Sequence, residues 1–134
     1  MVYVTKRIEF SAAHRLHNPA FSEEENLRIY DKCNNLHGHG HNYVLEVTVA
    51  GEPDPDTGYV IDLKKLKAIL IEELISQVDH KHFNFDVGFM TGTIPTVENI
   101  IAAFWRVLEN KIPNGRLYKL KLWETENSYA EYFG

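Results

Sequence analysis

His37, His39 and His41 alternate with glycine in the stretch KCNNLHGHGHNYVLEVTV, residues Lys32 to Val49, and the chain's one cysteine, Cys33, stands just upstream. Imidazole suits zinc, iron, nickel and copper, and a working zinc site usually takes three protein ligands and keeps a fourth position open. A thiol close to a cation is favoured as thiolate, the form that acts as base or nucleophile. The bland readings are a flexible loop that binds metal adventitiously and a cysteine serving as a small buried apolar side chain. Which holds depends on the elements that carry these residues.

Val2 to Ala12 alternate, with Val2, Val4, Ile8, Phe10 and Ala12 on one parity and Lys6 the exception, which predicts a strand with one buried face. Asn18 to Asn35 is polar and acidic and reads as a structured loop with at most a short helical turn. Tyr43 to Val49 is a second strand; GEPDPDTG turns the chain, and Tyr59 to Ile61 continues as a third, the two forming a hairpin. Asp62 caps a helix with Leu63, Leu66, Leu70, Leu74 and Val78 at helical spacing. After the loop DHKHFNFDVGFMTG, Thr96 caps a second helix with the stripe Val97, Ile100, Ile101, Phe104 and Leu108. Asn114-Gly115 closes it, and LYKLKLWET is the last strand. This order predicts an α+β domain, an antiparallel sheet packed on two helices.

Parity then leads to a site. The inner face of the second strand, Tyr43, Leu45, Val47 and Val49, continues backward through His41 and His39. If the strand begins early, both imidazoles point the same way. Phe10 and Ala12 lead to His14, and Leu120 and Leu122 lead to Glu124. His14, His39 and His41 supply three ligands without cysteine. His37 shares the parity and could replace His39 or His41, but it lies farthest from the strand and is expected beside the site or in solvent. Asp79-His80 could activate the Cys33 thiol as an acid–imidazole dyad, although loops carry such pairs by accident. Glu124 is either a solvated carboxylate or, if buried, one that needs a donor such as a ligand's fork of N–H groups. HGHNYVLE also resembles half of the cupin pattern, but Glu46 has the opposite parity and no histidine follows His82.

With 134 residues, 44% apolar and 25% charged, the chain reads as one folded domain, 1–134. Its net charge of −5 argues against nucleic acid or acidic lipid as partner, while local basic residues can still serve a small anion. No apolar run approaches the ~18 residues of a membrane span, and MVYVTKRIEF is not expected to be a signal peptide. One cysteine cannot form an internal disulfide, which fits a cytoplasmic protein.

Taken together, FSAAHRL, EENLRIYDKCNN, HGHNY, DHKHFNFDV, PTVEN and LWET resemble the 6-pyruvoyltetrahydropterin synthase family along nearly the whole chain. The resemblance implies a tunnelling-type subunit, with a four-stranded antiparallel sheet on two helices. Three subunits would join sheets into a barrel and two trimers stack into a hexamer, with active sites at the interfaces. It implies one Zn2+ per subunit on His14, His39 and His41, and Cys33 as the catalytic base. Asp79 and His80 would act from a neighbouring subunit, and Glu124 would anchor the pterin with Thr96 near its pocket. The implied lyase reaction converts 7,8-dihydroneopterin triphosphate to 6-pyruvoyltetrahydropterin, a step of tetrahydrobiopterin biosynthesis, with loss of triphosphate. Lys32, Lys81, Arg15 and Arg28 are candidates for the triphosphate by charge and nearness in sequence. The related 6-carboxytetrahydropterin synthases of the queuosine pathway carry C-x3-HGH, which Cys33 to His37 fits; Cys33 to His39 fits the longer C-x5-HGHNY. HNY running straight into the strand favours the longer spacing. A non-catalytic zinc-binding member of the fold is the remaining reading, and the intact Cys33, Asp79, His80 and Glu124 favour the enzyme.

Overall fold

In the computed structural model, which describes residues 1–134, strand β1 (Val2–His14) pairs antiparallel with β2 (His39–Gly51) along its whole length, from Val2 opposite Gly51 to His14 opposite His39. The segment between them is more ordered than its polarity suggests. Ser22 caps helix α1 (Glu23–Tyr30), its hydroxyl accepting from the Glu25 N–H, and a 3-10 turn follows at Asp31–Asn34. Asn26, fully buried, ties this helix to the chain before it by donating to the carbonyls of Asn18 and Ser22.

The expected third strand does not form. β2 has β1 on one edge and β4 (Arg116–Thr125) on the other, so Tyr59 to Ile61 has no free ladder to join. Instead Asp54 Oδ1 accepts from the N–H groups of Asp56 and Thr57, closing a tight loop, and Val60 and Ile61 drop into the core as irregular backbone. Two short strands complete the sheet. β3 (Lys81–His82) lies parallel to β1, and β5 (Ser128–Tyr132) lies antiparallel to β4. The result is a mixed five-stranded sheet, β3-β1-β2-β4-β5, rather than a four-stranded antiparallel one.

Helices cover one face. The segment from 63 to 78 is one rod made of α2 (Leu63–Leu70), a π turn (Ile71–Ile75) and α3 (Ser76–Val78). Its buried residues Leu66, Leu70, Leu74 and Val78 are each four apart, so in an ideal α-helix the stripe would drift about 40° per step. The wider π turn takes up that drift and keeps all four on the sheet. A 3-10 turn (Gly88–Met90) precedes α4 (Val97–Leu108), which Thr96 caps by accepting from Asn99 N–H. The core joins Phe10, Tyr43, Leu45, Leu120 and Leu122 of the sheet to Leu66, Leu70, Ile100 and Phe104 of the helices. Each such side chain contributes roughly 1.5–3 kcal/mol by leaving water. The opposite face is polar, with Arg7, Glu46, Lys121 and Glu131 as successive cross-strand partners of alternating sign. No helix is long and apolar enough to cross a membrane.

Candidate active site

The β1–β2 register builds the centre. His14 sits directly opposite His39, and Ala12 opposite His41, so the three imidazoles occupy one corner of the core-facing surface. His14 Nε2 lies 3.1 Å from His39 Nε2 and 3.1 Å from His41 Nε2, and the three nitrogens all fall within 4.8 Å of one another. His37 stays outside, exposed and without a hydrogen bond.

The second nitrogen of His14 explains the orientation. Nδ1 lies 2.7 Å from the carbonyl oxygen of Pro95, which can only accept, so Nδ1 carries the proton and Nε2 presents a lone pair to its neighbours. Burial, partly offset by that carbonyl, and then the facing His39, His41 and His82 hold the His14 pKa down to about 4. His41 is lowered as well, by burial and then by His39. With its proton on Nδ1, His14 offers a lone pair at Nε2, and His39 and His41 can turn theirs to the same point when a cation occupies it. A tetrahedral ion bound at about 2.0–2.1 Å needs nitrogens ~3.3 Å apart, close to the spacing found. The donor set therefore fits a divalent metal.

Glu124, at the end of β4, brings Oε1 to 3.9 Å from His41 Nε2. Burial pushes its carboxyl up, His39 opposes this, and the charge of Glu98 on α4 adds to it. Thr96 occupies the cap beside Pro95, so the start of α4 closes the same corner. Cys33 is half-buried on the 3-10 turn. That turn is stapled to the residues just after His14: Leu16 N–H donates to the Cys33 carbonyl (2.8 Å), Arg15 Nε to the Asn34 carbonyl (2.9 Å) and Asn34 Nδ2 to the Leu16 carbonyl (2.9 Å).

Asp79 and His80 are organised elsewhere. Asp79 Oδ1 accepts from Ser11 N–H (2.9 Å) and Oδ2 lies 3.1 Å from His80 Nδ1. The Ser11 bond, with help from His80, lowers the Asp79 pKa. The pair rides on the outer edge of β1, His80 has its side chain 82% exposed, and no hydrogen bond joins either residue to Cys33 within the subunit. Lys32 and Arg28 project into solvent, and Lys81 shares a shallow cavity with Asp86.

Sequence reasoning missed three groups. The Pro95 carbonyl is invisible to side-chain patterns. Tyr43 reads as core, yet its hydroxyl comes within 3.5 Å of His14 Nδ1. Glu98, two residues beyond the expected cap, lies near enough to Glu124 to affect its charge.

Comparison with known proteins identifies the family. The profile of the 6-pyruvoyl tetrahydropterin synthase family matches residues 3–134. The 6-pyruvoyl tetrahydrobiopterin synthase of Homo sapiens is 45% identical over 98% of this chain and 90% of its own length. The 6-carboxy-5,6,7,8-tetrahydropterin synthase of Rickettsia felis is 32% identical over 98% and 99%. Among solved structures, the Caenorhabditis elegans 6-pyruvoyl tetrahydropterin synthase superimposes with a TM-score of 0.94 at 40% identity, covering 99% of this chain and 95% of that one.

Proposed function

Because the chain belongs to the 6-pyruvoyl tetrahydropterin synthase family, we propose that it converts 7,8-dihydroneopterin triphosphate to 6-pyruvoyltetrahydropterin, eliminating triphosphate as a carbon–oxygen lyase. The observation that carries this is the trio of Nε2 atoms on His14, His39 and His41, drawn together by cross-strand register beside a half-buried carboxylate. Zinc is the proposed ion, one per subunit. When bound it supplies Lewis-acid stabilisation of negative charge developing on the substrate's side-chain oxygens.

The remaining work falls to side chains. Glu124 accepts the ring N–H and amino hydrogens of the pterin, which fixes the reacting carbons. Cys33 removes a carbon-bound proton, and Asp79 orients His80, which tunes and relays that proton. Within the subunit no hydrogen bond links this pair to Cys33, and in this reading it serves the site of a neighbouring copy. Three subunits joined edge to edge and two trimers stacked are the assembly this reading requires.

The pyruvoyl product is favoured over the carboxy product by spacing. His39 and His41, not His37, reach His14, which leaves five residues between Cys33 and the next ligand. The test is incubation with 7,8-dihydroneopterin triphosphate and mass identification of the product, with and without chelator. The expected outcome is a chelator-sensitive product bearing the pyruvoyl side chain. A carboxyl group in its place assigns the sister reaction, and no turnover by metal-loaded protein leaves only a zinc-binding member of the fold.

A further inference from the structure

Arg15 is a cation without an anion. Its Nε–H donates to the Asn34 carbonyl at 2.9 Å, and no other hydrogen bond or ion pair engages the guanidinium, so both terminal amino groups are free. Its backbone is clamped in both directions: Arg15 N–H donates to Asn84 Oδ1 (2.8 Å) and Asn84 Nδ2 donates to the Arg15 carbonyl (2.9 Å). Next along the chain, His17 Nδ1 accepts from Asn34 Nδ2 at 3.0 Å, which leaves the His17 proton on Nε2 as a further donor.

Arg15 and His17 line a cavity of about 260 Å³ whose polar wall is completed by Asn84 and Thr93. No aspartate or glutamate lines it, in a chain with 19 acidic residues against 14 basic. By contrast, the cavities lined by Glu52 and Asp54, by Glu126, by Asp62 and by Asp86 each hold at least one carboxylate. A preorganised guanidinium fork with neutral donors around it and no competing carboxylate is a phosphate-binding arrangement.

Position adds a second argument. Crossing the sheet from β4 to β3 one meets Glu124, then His41 and His39, then His14, and last Arg15 with Asn84. A pterin bearing a dihydroxypropyl side chain that ends in a triphosphate has the same order of parts. We infer that this groove is the polyphosphate subsite, with Arg15 its principal charge and His17, Asn84 and Thr93 its neutral donors. This rests on the pterin-triphosphate reading of the metal corner. It singles out Arg15 over Lys32, Arg28 and Lys81, none of which is held in place by such bonds.

Inorganic tripolyphosphate is the probe. Calorimetric titration of the metal-loaded protein should give an affinity that falls about tenfold or more in Arg15→Met, which keeps an unbranched apolar stem without the charge. It should not change in Lys65→Met, at the cavity lined by Glu52 and Asp54. With the pterin triphosphate, Arg15→Met should raise KM by a similar factor and change kcat less. Equal tripolyphosphate affinity in wild type and Arg15→Met overturns the subsite, even where wild type turns over the substrate and the functional reading survives. Binding that depends on Arg15 in a protein without turnover supports the groove and overturns the substrate instead. Should Arg15→Met fail to fold, the Arg15 Nε–H resonance of the wild-type protein decides: movement on adding tripolyphosphate supports the assignment, and an unmoved signal overturns it.

Discussion

The environment of His14 gives its two nitrogens separate tasks, and that separation has a pH signature. Nδ1 is tied to Pro95, while Nε2 faces His39 and His41 in a setting that lowers the pKa from 6.5 to about 4, chiefly through burial. In the unfolded chain the same imidazole takes up a proton near its ordinary value. Between the two values the unfolded state therefore binds more protons, so stability is full above the upper value and drains away as the pH falls through the lower one. The full effect is about 3 kcal/mol. Urea unfolding of chelator-treated protein at several pH values across this window should reveal the loss, and His14→Gln should flatten most of the slope. A slope unchanged in the variant would rule out His14 as its source. The result also defines when the centre can accept metal, because protonated imidazole is not a ligand.

The elements that aim these residues differ in how far the sequence announces them. Period-two alternation carried β1 and β2 past their apolar residues to His14, His39 and His41, and apolar residues at helical spacing behind Asp62 and Thr96 marked both long helical segments. β3 and β5 escaped notice because two residues, or five with a single tyrosine–alanine alternation, carry too little period to read. Tyr59 to Ile61 looked like a strand, but whether apolar residues extend a sheet depends on a vacant edge, and both edges of β2 are taken. The glycines of HGHGH make the same point. In sequence Gly38 and Gly40 look equivalent; in the fold Gly38 has φ +74° and an added Cβ would lie 2.5 Å from the His14 carbonyl oxygen, whereas at Gly40 it would lie 3.6 Å from the Ala12 oxygen. Gly38→Ala should thus cost about 2–4 kcal/mol and weaken metal uptake, since the turn that launches β2 must move away from the backbone of His14. Gly40→Ala should stay within about 1 kcal/mol of wild type and take up metal as wild type does. Thermal melts and metal analysis of the two variants check the contrast, and equal behaviour would contradict it.

At the scale of the whole molecule, one subunit holds every part of the proposed site but does not bring them together. Cys33 is stapled to Leu16, two residues beyond His14, whereas Asp79 and His80 are tied to Ser11 of β1, with the imidazole turned to solvent and no hydrogen bond to Cys33. A hydrogen-bonded acid–imidazole pair facing solvent is what a contact with a second copy would cover. If each site takes Cys33 from one subunit and His80 from the next, then Cys33→Ala and His80→Ala are each inactive as pure assemblies, but not when mixed. Random co-assembly in equal amounts leaves about one site in four with a sound cysteine on one side and a sound dyad on the other. Co-expression of two differently tagged variants should then restore about a quarter of wild-type turnover in the doubly purified assemblies. A dyad that served its own subunit would restore none, however thoroughly the subunits mixed, because every chain would carry one broken half.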